Sequence, residues 1–398
     1  MKKYGLMILI ALLAASSMQC SKRDNPLDPE VSHGLYWSLY FESSAIGDNV
    51  MDNYPSRHIL VYTPPGYDPA DTLIPGDPNS PGTYYPVLYL LHGYGGDHTY
   101  FKGLFDVGSI MDELISTGEI EPMIIVTPNA TNNLGGSFYT NSPDFGTGQS
   151  YAGRMQDFIT EEVVAIIDSV YNTVADRAHR GVAGHSMGGY GAIKLAMLRN
   201  DMFGSASVMS APLMFQPRGL TDTTLMALMP GVWQENGFAP GDTAAFYRIT
   251  PGTGKRLTNM MFALAVSFSP HNPVDPDTSF AHRFAALGFV GYADLPFDVN
   301  GQVAPSVWAY WLANDIATIY DSMYTVFDNT PLYVDCGQVD QLLFQGQASA
   351  FYRVASASID EFEIYPSIDD LYAADHTTLI AERLRRVLSF HDNAFGGQ

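Results

Sequence analysis

The sequence predicts an α/β protein with a mainly parallel central sheet, helices on both faces and a cap-like insertion late in the chain. Three observations carry this. Short, wholly apolar runs recur between turn residues, amphipathic helical patterns separate them, and the 398 residues are 46% hydrophobic, enough for one large core. A strand buried on both faces reads as a continuous apolar run because neither face meets water. Parallel neighbours also need a long crossover, which a helix supplies.

The elements follow in chain order. Residues 1–20 carry Lys2 and Lys3, then an apolar run, then small residues. This reads as an export signal, too short for a comfortable membrane span. Cys20 stands where a bacterial lipoprotein would carry its acylated cysteine, and residues 21–33 are polar and Pro-bearing, as a tether would be. In the other reading, cleavage falls nearby and Cys20 has no role. The expected product is exported: a periplasmic or cell-surface lipoprotein, or a secreted protein.

A single domain is expected over 34–392. Leu35–Phe41 and His58–Tyr62 can pair as strands, and 64–85 reads as a loop rich in Pro, Gly and Asp. Val87–Leu91, Met123–Thr127, Gly181–Ala183, Ala206–Met209 and Leu332–Val334 are the apolar strands. Phe158, Ile159, Val163, Ile166, Ile167 and Val170 keep the spacing of one buried helix face, as do Ile380, Leu384, Val387 and Leu388. Phe362 and Ile364 alternate with Glu361 and Glu363, which suits a half-buried edge strand. Residues 212–304 lack clear strand signals and read as the insertion.

Composition excludes several classes. A formal charge of −22 repels nucleic acid and anionic lipid. Two cysteines exclude a disulfide framework, and Cys336, in the apolar segment PLYVDC, is expected to be free and buried. No His/Cys/Asp/Glu spacing has the pattern of a metal site, and no cofactor is expected.

The chemistry concentrates at Gly184-His185-Ser186-Met187-Gly188-Gly189, between the strand RGVA and the helical run YGAIKLAML. A serine on a sharp strand-to-helix turn is a nucleophile elbow, and residues two positions either side must be small for strand and helix to approach. The turn puts Ser186 at a helix N-terminus, where the Met187 N–H is the expected donor to an oxyanion. The second donor is expected from Leu91-His92-Gly93-Tyr94-Gly95-Gly96, with Tyr94 N–H first and Gly95 N–H next. Ten histidines compete for the base. His376 alone follows the last strand in a loop, Asp369–Asp375, that opens into the C-terminal helix. His391, beyond that helix, is expected on the surface. His92 and His185 belong to the scaffolding around the oxyanion site, and His185 is also a candidate substrate contact. The acid should follow a late strand, which leaves Asp335 and Asp340.

Together LLHGYGGDHTYF, EPMIIVTPNA, AGHSMGGYGAIKLA and YVDCGQVD resemble the esterase D family of α/β-hydrolases. That family includes S-formylglutathione hydrolases, feruloyl and acetylxylan esterases and the antigen 85 mycolyltransferases. The resemblance runs from about residue 36 to 390 and implies the α/β-hydrolase fold with a cofactor-free Ser-His-acid site. The family pattern Gly-x-x-Asp places the acid at Asp340. Its usual Gly-x-His is replaced here by Ala374-Asp375-His376, followed by Thr377 and Thr378.

The resulting expectation is a secreted serine carboxylesterase acting through an acyl-enzyme on a small-molecule or carbohydrate ester. The alternatives are an acyltransferase of the antigen 85 type and a non-catalytic binding module. Trp308 and Trp311, with Trp233 in the insertion, are candidate aromatic platforms for a sugar or phenolic ring, set against plain packing.

Overall fold

The computed structural model describes residues 33–71, 82–219, 223–286, 289–365 and 374–396. The expected export signal, Cys20 and residues 21–32 of the expected tether lie outside the described residues, as do 72–81 of the early loop and 366–373 of the loop before His376.

Eight strands form one sheet: β1 (Leu35–Glu42), β2 (Ser56–Thr63), β3 (Val87–Leu91), β4 (Ile124–Pro128), β5 (Arg180–His185), β6 (Ser205–Met209), β9 (Leu332–Gly337) and β10 (Glu361–Tyr365). Their order is β1-β2-β4-β3-β5-β6-β9-β10. β1 and β2 run antiparallel to each other, β2 runs antiparallel to β4, and the rest are parallel. β3, β4, β5, β6 and β9 are buried along their whole length, as their apolar runs predict. β10 is half-buried throughout, as an edge strand with alternating glutamates should be.

Successive side chains of a strand point to opposite faces, and the sheet divides two cores accordingly. Leu88 and Leu90 pack with the helices Val107–Thr117 and Ile380–Phe395. Val87, Tyr89 and Leu91 pack on the other face, with the helical stretch 155–170 and the helix Met187–Leu198.

Two expectations need correction. The stretch 212–304 contains a hairpin, β7 (Ala281–Ala286) with β8 (Phe289–Asp294), as well as helices such as Arg256–Phe268. Phe284 and Ala293 of that hairpin are fully buried in the larger core, which supplies the support its weak strand signal lacks. His391 is likewise inside, with no exposed surface. The C-terminal helix runs on to Phe395, so His391 faces the sheet, where its Nδ1 pairs with Ser205 Oγ at 2.7 Å.

Candidate active site

The turn after β5 is sharp because its backbone is strained. Ser186 has φ 58° and ψ −117°, a conformation side chains with a Cβ rarely adopt. Its N–H donates to Met209 O on the neighbouring β6 at 2.8 Å. The flanking glycines are required by contact: a Cβ on Gly184 would lie 2.3 Å from the Gly188 carbonyl, and one on Gly188 would lie 1.8 Å from Leu91 O. Strand, elbow and oxyanion loop meet here with no room for a methyl group.

His376 and Asp340 converge on this turn. His376 Nε2 lies 2.9 Å from Ser186 Oγ, and His376 Nδ1 lies 2.7 Å from Asp340 Oδ2. All three residues are buried. A carboxylate only accepts, so Nδ1 carries the proton and Nε2 faces the serine hydroxyl with its lone pair. Asp340 is held by the Leu342 N–H at 2.8 Å and by the Cys336 thiol at 3.6 Å. Gly337 admits the histidine loop: a Cβ there would stand 2.3 Å from Asp375 O and 2.5 Å from Ala374 O. The loop is also tied by Val339 N–H to Ala374 O at 3.0 Å.

On the oxyanion side, Met187 is the first residue of its helix, where backbone N–H groups have no intrahelical acceptor. In the loop after β3, Gly95 N–H donates to Gly135 O at 2.8 Å. It is therefore occupied, and Gly95 is corrected out of the candidate donors, which leaves the Met187 and Tyr94 N–H groups as candidates. His92 shapes this loop. Its Nε2 accepts from Ala130 N–H at 3.0 Å and its Nδ1–H donates to Gly93 O at 2.9 Å. Burial pushes its pKa down to about 4, so it stays neutral.

A family model described as "Putative esterase" matches residues 55–377, a span holding the elbow, the oxyanion loop, Asp340 and His376. The chain belongs to this esterase family. It is a family of serine carboxylic ester hydrolases. The chain is 31% identical over 182 residues to an endo-1,4-beta-xylanase/feruloyl esterase of Xylanibacter ruminicola, covering 46% of this chain and 22% of that protein. It is 33% identical over 178 residues to an esterase of Mycobacterium tuberculosis, covering 44% of this chain and 32% of that protein. The chain thus spans a third or less of the length of these relatives. In fold it is similar to a ferulic acid esterase, with a TM-score of 0.53 and 19% identity over 91% of this chain and 99% of that one. It is similar in the same way to an S-formylglutathione hydrolase of Agrobacterium tumefaciens, with a TM-score of 0.52 and 15% identity over 92% and 97%.

The remaining candidates of this esterase-family chain fall elsewhere. β9 continues three residues beyond Val334, so Asp335 lies within the strand and points, with Tyr333, to the face opposite Cys336. It meets Arg383 of the C-terminal helix there, through Nε at 3.0 Å and a shorter Nη2 contact, and accepts from Tyr333 Oη at 2.9 Å. His185 is buried and donates from Nε2 to His376 O at 2.7 Å, a contact that takes its ring out of substrate reach.

Trp311 is fully buried, donates to Ser269 Oγ at 2.8 Å and packs edge-on against Phe215 and Phe268. Trp308 is also buried and stacks on it. Both are core residues, because the helix Pro305–Leu312 turns this face inward, and the platform expectation is corrected. Trp233 is half-buried against Phe238 and Phe297.

Sequence reasoning missed Gln341, whose Oε1 accepts the His376 backbone N–H at 3.1 Å. A glutamine beside the acid carries no local signal, and only the folded loop reveals it. Among the described residues, no group of His, Cys, Asp and Glu could hold a metal ion, and no helix is long and apolar enough to cross a membrane.

Proposed function

We propose that the chain is a serine carboxylesterase acting on acyl esters of carbohydrate, with Ser186 as nucleophile, His376 as general base and Asp340 as orienting acid. The observation that carries this is the Ser186–His376–Asp340 chain of contacts at 2.9 and 2.7 Å on a strained elbow. Ser186 Oγ attacks the ester carbonyl carbon while His376 Nε2 takes its proton. The carbonyl oxygen becomes an oxyanion between the Met187 and Tyr94 N–H groups. The intermediate collapses as His376 returns the proton to the departing alcohol, leaving an acyl group on Ser186. Water then attacks the acyl carbon with its proton passing to His376, and as the bond to Ser186 Oγ breaks His376 returns that proton to Oγ and the acid leaves. The carbohydrate assignment is supported by the name of the Xylanibacter relative. We assign the protein to the exported class on the composition of residues 1–20, with Cys20 as lipid anchor; labelled palmitate that persists on a Cys20→Ser variant would exclude the anchor.

Turnover of p-nitrophenyl acetate and of feruloylated and acetylated xylan fragments tests the reading. Ser186→Ala should lower kcat by at least about 10³-fold and abolish fluorophosphonate labelling, with the fold retained. Equal activity in the variant would overturn the assignment.

A further inference from the structure

Two side chains outside the proposed triad reach the base from the far side of the elbow. Tyr100 opens the short helix Tyr100–Phe105 just after the oxyanion loop, and its hydroxyl lies 2.8 Å from His185 Nδ1. His185 Nε2 lies 2.7 Å from His376 O. A carbonyl oxygen only accepts, so Nε2 carries the proton. In a neutral ring Nδ1 is then a lone pair, which the Tyr100 hydroxyl fills.

We propose that Tyr100 and His185 are positioning residues for His376: the Tyr100 hydroxyl orients the His185 ring so that its Nε2–H holds the His376 carbonyl. This rests on the reading of His376 as general base. The His376 main chain is thereby held at both ends, its N–H by Gln341 and its carbonyl by His185, and the imidazole between them is aimed at Ser186. The residue that precedes the nucleophile in sequence thus fixes the base relative to the nucleophile.

Tyr100 touches the oxyanion loop as well. A Cβ on Gly96 would lie 2.7 Å from Tyr100 Cδ2, and one on Gly93 would lie 3.2 Å from its hydroxyl. One residue therefore contacts the loop carrying an oxyanion donor and, through His185, the loop carrying the base. The pair keeps its protonation while His376 gains and loses a proton. Burial and the neighbouring His376 and Arg383 hold His185 well below the usual imidazole range. Burial pushes the Tyr100 hydroxyl up to about 12.

Tyr100→Phe removes the hydroxyl and keeps the ring on Gly96. It leaves His185 Nδ1 as a buried acceptor with no partner, which frees the ring to turn. The expected result is a fall in kcat of about tenfold with KM for p-nitrophenyl acetate and the melting temperature little changed. His185→Leu should lose at least as much, and Tyr100→Phe should cost nothing further in that background. His185→Gln, which keeps a donor near the Nε2 position, should recover part of the loss.

Unchanged kcat in Tyr100→Phe, or losses that simply add in the double variant, would overturn the proposal. A second readout does not depend on turnover. In protein labelled with ¹⁵N-histidine, His185 should be the neutral Nε2–H tautomer with Nδ1 accepting a hydrogen bond, and a neutral Nδ1–H tautomer would overturn it. Wild-type protein that neither turns over esters nor takes a fluorophosphonate would sink the esterase reading, and the tautomer measurement would still decide the arrangement.

Discussion

Asp335 and Asp340 lie five residues apart, both are buried, and they face different partners. Asp335 lies in β9, on the face where Tyr333 joins the core beneath the C-terminal helix, and faces a guanidinium with no exposed surface. Asp340 lies past the strand end and faces an imidazole. The first pair joins helix to sheet, and the second joins two loops beside Ser186. A buried carboxylate is therefore defined by its partner: a permanently charged Arg383 makes a structural tie, whereas an imidazole that faces Ser186 makes, on the proposed function, a reactive one. Only the Gly337 break and the turn after it separate the two.

The contrast is broken most severely by neutralising Asp340. Asp340→Asn should lower kcat by about 10³- to 10⁴-fold, because the imidazole settles in the wrong tautomer, while the melting temperature stays near that of the wild type. A variant within tenfold of wild type would end the distinction.

Asp335→Asn should behave oppositely. It leaves the Arg383 charge buried without its counter-ion, at a cost of about 3–5 kcal/mol, readable as a lower denaturant midpoint. Activity per folded molecule should stay close to wild type. A large catalytic loss at unchanged stability would exchange the two roles.

Acid should weaken the fold through its buried neutral histidines. His391, on the same helix as Arg383, is held neutral by burial with its pKa lowered to about 3, and His92 by the same cause to about 4. The folded values lie below the unfolded one of about 6.5. The stabilisation is therefore fully present above that pH and is lost as pH falls toward the folded values. Each such histidine adds a slope of up to about 1.4 kcal/mol per pH unit in that window. Urea midpoints measured from pH 7 to pH 4 should fall less steeply in His391→Asn. An unchanged slope would remove His391 from the account.

The smallest effect is expected where the two networks touch. Ser210 Oγ accepts from Arg383 Nη2 at 2.8 Å and lies 3.5 Å from Cys336 Sγ, which in turn lies 3.6 Å from Asp340 Oδ2. Thiol hydrogen bonds are weak, so Cys336→Ala should cost about 1 kcal/mol and change kcat by no more than about threefold. A loss approaching that of Asp340→Asn would mean that the two carboxylates work as one unit.

What the sequence made legible was local. The elbow needs its glycines within four residues of one another, and the strand before and helix after it are continuous patterns, so Ser186 and its loop could be read directly. His376 followed from chain order. What escaped depended on distant partners. β9 looked finished at Val334 because a charged residue normally ends a buried strand, yet Asp335 continues it by pairing with a residue 48 positions on. Trp308 and Trp311 stand three apart on a helix, a spacing that fits a packed face or a displayed one equally well. Only the positions of Phe215 and Phe268 decide between them. The β7–β8 hairpin, with AHRFAA as its first strand, was hidden for the same reason.

The seating of β9 directly beside β6, with the whole chain from Ser210 to Pro331 running out and back between them, bears on how the molecule comes to exist. Pairing these strands is expected to close the long excursion late, after nearer contacts have formed, because distant segments lose more entropy on meeting. Asp340 hangs from the far end of that pairing. During refolding, helix content and tryptophan burial should thus precede the return of catalysis, and a chain halted before β9 docks would be compact and inert.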